Sequence, residues 1–215
     1  MAVTQFNLAE GQRAERKLLV TVLEWNEYTL TTSEPADWDT DYTDYYEKGV
    51  NGYIKVTGAT APTWAANKYY SATLTRELCG TRTEDSSIEY NADIETTTDI
   101  LGNNYTDMNK TQPEQTFDAS PLRGGSPLQA KLNDIRRRNA VSELQQFTAY
   151  ILTAYAGSTG ALEAERHDGC SVTYDSIGGD TTINFPYTVH FSNKITTGTV
   201  DKIASDFTFT PDVTV

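Results

Sequence analysis

The chain has 215 residues, with 30 acidic against 17 basic side chains and a formal net charge of −13. That length suits one domain with a sizeable core, or one domain carrying a large insertion. The charge argues against a surface built to hold nucleic acid, which would supply Lys and Arg to phosphates, and no apolar run approaches the ~18 residues a membrane helix needs.

Residues 1–20 show no apolar stretch behind a basic start, so no secretion signal is expected and the chain is read as soluble and made in a reducing cytosol. Cys79 and Cys170, with no CxxC spacing, are then read as two reduced thiols. Residues 14–24, AERKLLVTVLE, predict a first strand, with Leu19 and Thr21 opposite Val20 and Val22. Residues 25–75 change character: Tyr, Trp, Thr, Asp, Gly and Pro dominate, and turn signals come close together. They predict an exposed insertion of short strands, GYIKV among them, interrupting a main domain of residues 1–24 and 76–215.

Residues 86–101 alternate. Ile88, Tyr90, Ala92, Ile94 and Ile100 fall on one face of an extended chain, and Glu89, Asp93, Glu95 and Asp99 on the other. LGNN follows as a hairpin turn. With Gly102 and Asn103 as a two-residue loop, Asp99 would face Thr106 and Glu95 would face Lys110. Further on, Ser126 is a good N-cap and Pro127 fits the first helical position. Leu128, Leu132 and Ile135 form the packing stripe of that helix, and Arg136, Arg137 and Arg138 complement its dipole. Residues 140–156 carry both helical spacing and strand formers, and periodicity does not decide between them. The remainder predicts short strands broken near Gly178–Asp180 and Ser192–Asn193, so the fold class is mainly β and antiparallel with one helix.

Little in the chain points to catalysis. His167 is expected in a surface turn and His190 on an alternating strand, neither with a companion at metal-ligand spacing. GxSxG, Walker and GxGxxG motifs do not occur. The acidic residues of 89–99 could be offered as a glycosidase pair, but no spacing singles out an acid and a nucleophile. No catalytic residue, cofactor or metal is assigned.

The phrases ETTTDILGNNYTDMNKTQPEQTFD, SPLQAKLNDIRRRN, EAERHDGCSVTYDSIGGDTTINFPYTVHF and FTFTP, in that order, resemble the major tail tube proteins of tailed bacteriophages of Gram-positive hosts. The likeness covers residues 1–24 and 80–215. The insertion resembles a short module spliced into phage virion proteins. The resemblance implies a β-sandwich or barrel with a flanking helix, and a strand at 148–156. It implies hexameric rings that stack, with a long β-hairpin from each subunit joining an inner barrel. Implied partners are other copies of the chain, the tape measure, tail-tip and tail-terminator proteins, and double-stranded DNA passing through without specific binding. The place implied is the virion tail, assembled in the host bacterial cytoplasm. Glu89, Asp93, Glu95 and Asp99 would then line the lumen and repel phosphates, while Ile88, Tyr90, Ile94 and Ile100 pack on the subunit's own body. A solvated outer face is the alternative for the acids. A phage-like injection tube and a carbohydrate-binding decoration protein, using Trp38, Tyr45, Tyr46 and Trp64, are the alternatives for the whole chain.

Overall fold

In the computed structural model, which describes residues 6–49, 52–81, 83 and 86–212, strands β1 (Leu19–Leu30) and β9 (Phe147–Ser158) pair antiparallel near the middle of one large sheet. Residues 21–25 of β1 are buried on both faces, which is why this stretch reads as a continuous apolar run rather than a clean alternation. β4 (Tyr69–Leu78) flanks β1 on its other side, and β2 (Tyr45–Gly49) and β3 (Gly52–Lys55) extend the sheet beyond it. On the β9 side lie β10 (Ala161–Tyr174), β11 (Tyr187–His190), β8 (Glu114–Phe117) and β5 (Ile88–Glu89).

The sheet curls because β10 changes partner along its length. Its first half, Leu162 to His167, pairs with β12 (Ile195–Val200), which in turn carries β13 (Phe209–Pro211). Its second half, Ser171 to Tyr174, pairs with β11. The hand-over falls at a register shift between Asp168 and Cys170, where Gly169 takes φ +75°, the left-handed geometry a bulge uses to bend a strand. The architecture is therefore a mainly β, antiparallel half-barrel.

Helix α2 (Pro127–Arg138) packs on the sheet, and α1 (Trp38–Asp41) is a single turn in the insertion. Ser126 Oγ accepts from the Gln129 amide, and Asn139 ends the helix at φ +54°. Leu128, Leu132 and Ile135 are buried against Leu23, Trp25, Phe147, Phe185, Tyr187 and Val189. A second cluster fills the opposite face of the sheet, with Val22, Tyr150, Leu152, Val200 and Phe207. Residues 147–158 are a strand, and the helical spacing within them comes from its two buried faces.

Three sequence expectations change. The first strand runs to Leu30, so the boundary at residue 24 cuts through β1, and the boundary at 75 likewise cuts β4. The insertion is thus an edge extension of the main sheet. It has its own small core of Trp38, Tyr42, Val56 and Tyr69. His167 lies in no surface turn: it is buried within β10, its Nδ1 2.9 Å from the Ser192 carbonyl, because the strand continues through ERHDG as far as the Gly169 bulge.

Candidate assembly surface

β5 and β8 are the base of a long hairpin whose outer part leaves the sheet. β6 (Asp93–Thr98) and β7 (Asn104–Lys110) form a separate two-stranded ribbon. The strand expected over 86–101 breaks between the two parts, at Asn91, whose φ is +35°. The amide of Gln112 bonds the Tyr90 carbonyl across the break at 3.1 Å. Asn91 Nδ2 donates to Glu114 Oε1 at 2.9 Å, and Glu114 Oε2 lies 3.2 Å from His190 Nδ1. His190 Nε2 in turn meets Thr173 Oγ1 at 3.1 Å. A chain of polar contacts thereby ties the joint of the arm to β11 and β10.

The arm's turn is longer than the sequence suggested. Thr98 pairs with Asn104, leaving residues 99–103 as the loop, so Glu95 faces Asp107 and not Lys110. A register shift next to Asp93 brings Lys110 opposite that residue instead. The cause is Asp99. Its carboxylate leaves the ladder and accepts from the Leu101 amide at 2.8 Å, the Asn103 amide at 2.9 Å, Asn103 Nδ2 at 3.0 Å and Tyr105 OH at 3.2 Å. An aspartate that satisfies a loop's amides competes with strand pairing. The Asn103 contacts first, and then the Leu101 amide and Tyr105, hold this carboxyl below its ordinary range.

Cross-strand partners share a face. One face of the arm carries Ile94 with Met108, Thr96 with Thr106, and Thr98 with Asn104, and no ionised group. The other carries Asp93 with Lys110, Glu95 with Asp107, and Thr97 with Tyr105, three carboxylates against one ammonium. All of Asp93–Thr98 is exposed. Ile94 is 58% exposed, Met108 65%, Leu101 81%, and Ile100 at the tip is fully exposed. The expectation that Tyr90, Ile94 and Ile100 pack on the subunit's own body is therefore corrected: of that face, Ile88 alone packs against the core, because the chain leaves the sheet at Asn91.

Of the four acids singled out, Asp93 and Glu95 share the arm's acidic face, Glu89 stays on the base strand opposite Glu114, and Asp99 is in the loop. Asp107 was missed. The alternation of Tyr105 and Asp107 against Thr106 and Met108 was the signal for it, once the return strand is read with the same period as the outgoing one.

The other features resolve into internal structure. Trp38 is buried against Tyr45, Trp64 and Tyr69, with its Nε1 on the Pro62 carbonyl at 2.9 Å, so it presents no ring face for stacking a sugar. Tyr46 meets the ring of Tyr28 edge-on. The N-terminus of α2 already holds an anion of its own: Glu77 from β4 accepts from Ser126 Oγ at 2.8 Å and from the Leu128 amide at 2.7 Å. Arg138 pairs with Asp134 and Glu143, and Arg136 with Asn133. A cleft between Tyr28, Lys131 and Glu143 has a volume of about 40 Å³, room for a few waters. Among the described residues no group of three or more His, Cys, Asp or Glu is placed to hold a metal ion, and no helix is long and apolar enough to cross a membrane. Comparisons with protein-family models, with curated proteins and with solved structures return no match.

Proposed function

We propose that this chain is a structural subunit that self-assembles, through the arm of residues 93–110, into the stacked hexameric rings of a phage tail tube. The observation that carries the reading is the arm itself. A lone two-stranded ribbon in water is marginal, and this one stands apart from the main sheet with an open edge on each strand. Each edge offers unpaired N–H and C=O groups, which identical arms of neighbouring copies would satisfy by continuing the ladder around a ring. The tape measure, tail-tip and tail-terminator proteins are the partners this reading brings, and the virion tail is its place.

The acidic face suits a channel wall. Duplex DNA carries a negative charge about every 1.7 Å, and a wall of Asp93, Glu95 and Asp107, net negative even with Lys110 opposite Asp93, repels it within a Debye length of about 8 Å. Such a wall lets DNA pass without holding it. The tube of a phage-like injection particle would use the same arm. A glycan-binding role is disfavoured by the burial of Trp38.

The test is assembly of the purified chain, followed by sedimentation and negative-stain microscopy across concentration and salt, with and without a tail-tip initiator. Rings or tubes are expected. A strict monomer under every condition overturns the reading.

A further inference from the structure

We infer that the uncharged face of the arm, Ile94 and Met108 with the Ile100–Leu101 tip, is covered in the assembly by the body of a second copy of this chain, while the Glu95–Asp107 face remains in water. The inference rests on the tube reading and adds which surface each face of the arm meets.

The arm's own body does not cover it. Ile94, Met108, Leu101 and Ile100, on a short loop and ribbon, are between 58% and 103% exposed. The tip is set in advance, since four hydrogen bonds to the Asp99 carboxylate hold residues 99–105 with both aliphatic side chains outward. A pre-set apolar tip loses little freedom when it is buried, which favours docking.

Charge decides which face is buried. The side chains on the Ile94–Met108 face are two apolar residues, three threonines and one asparagine, all of which can be dehydrated at modest cost. Burying the other face would dehydrate four charges, and while Asp93 has Lys110 opposite it, Glu95 and Asp107 face each other with no cation between them. A second copy is itself acidic overall. It carries the same net charge of −13, and Arg76, Arg123, Lys131, Arg138, Arg166 and Lys202 are already paired within the body.

Geometry makes the second copy the occupant. When the open edge of one arm pairs with the edge of an identical arm, the neighbour's body is attached to that arm through the joint at Asn91. The arm spans about 25–30 Å from joint to tip, the width of a small domain, so the neighbour's body lies within reach of its uncharged face.

A photo-crosslinking amino acid placed singly at positions 94, 101, 108, 95 and 107 of the full-length chain tests this in assembled tubes. Positions 94, 101 and 108 should give dimers by gel, with mass spectrometry locating the attachment on the body of the other copy; any attachment from positions 95 and 107 should lie within a neighbouring arm and never on a body. As a second measurement, replacing both Ile94→Ser and Met108→Ser should raise the concentration needed for assembly about a hundredfold, while the melting of the monomer stays unchanged because both side chains are exposed there. Tubes that form normally in the double variant, or that crosslink to the body of another copy from 95 and 107 instead, overturn the inference and leave the tube reading standing. Vesicle binding that depends on Leu101 would place a lipid surface at the tip and overturn it too. A chain that never assembles overturns both.

Discussion

Glu95 lies directly across the arm from Asp107. Two carboxylates in that position repel, and a cross-strand pair contributes roughly 0.2–1 kcal/mol in either direction. Asp107→Asn should therefore make the ribbon more stable in the unassembled chain. Limited proteolysis should cut within residues 93–110 more slowly in the variant. Raising the salt should slow cleavage of the natural chain in the same way, since salt screens exposed charges.

Reversing the same charges tests the channel. With Asp93→Lys, Glu95→Lys and Asp107→Lys together, particles should release DNA slowly at low salt and recover as salt rises. Each phosphate neutralised adds about 0.9 to the slope of log affinity against log salt. Release at a normal rate at every salt concentration would place the acidic face on the outside of the tube.

The Asp99 loop should respond to acid. Its carboxyl is held below the ordinary range by the Asn103 contacts foremost. A lowered folded-state value means that the loop's extra stability is fully present above the ordinary carboxylate range and is lost as pH falls through the lowered value. The protection factors of the Leu101 and Asn103 amides, taken relative to intrinsic exchange at each pH, should therefore fall on acidification. Asp99→Ala should show the same low protection at neutral pH, with the β-sheet signal of the body unchanged.

Glu143 anchors a nearly buried ionic cluster. Its carboxylate lies 3.1 Å from Lys131 Nζ and 2.8 Å from Arg138 Nη1. Burial pushes this carboxyl up, but Arg138 and Lys131 outweigh burial and hold it below its usual range. The cluster's contribution is thus present above the ordinary Glu value and lost as pH falls through the depressed one. Glu143→Gln should cost about 3 kcal/mol, because it leaves the buried Lys131 ammonium without a full counter-charge. Thermal melts at neutral pH check the cost, and the variant's melting temperature should fall less than the natural chain's on acidification.

The insertion should be separable from assembly. Its two ends meet where the Thr31 amide bonds the Tyr69 carbonyl at 2.8 Å, so a short turn can join Leu30 to Tyr69 in place of residues 31–68. The shortened chain should still form tubes. In the complete chain, Trp38→Ala should remove about 3–5 kcal/mol from the insertion's small core and make it the first site of proteolysis, with the arm still protected in the tube.

Local pattern was enough for what depends on neighbours in the chain. Turn signals at Gly178–Asp180 and Ser192–Asn193 between runs of strand formers marked short strands on either side, and Ser126-Pro127 ahead of Leu128, Leu132 and Ile135 marked where α2 starts and which side it buries. The acidic and apolar alternation of residues 88–95 was likewise visible as two faces. What those faces meet was not. Alternation fixes which residues share a side, but pairing depends on how a loop satisfies its own backbone, and Asp99 took four donors that a two-residue turn would have left elsewhere. That shifted the register and set Glu95 against Asp107. Burial of His167, the reach of Glu77 from β4 to the first turn of α2, and the departure of the arm at Asn91 all join residues far apart in the chain. Only the folded sheet brings them within bonding distance, because contacts between distant residues are chosen by packing as a whole and leave no period in the sequence.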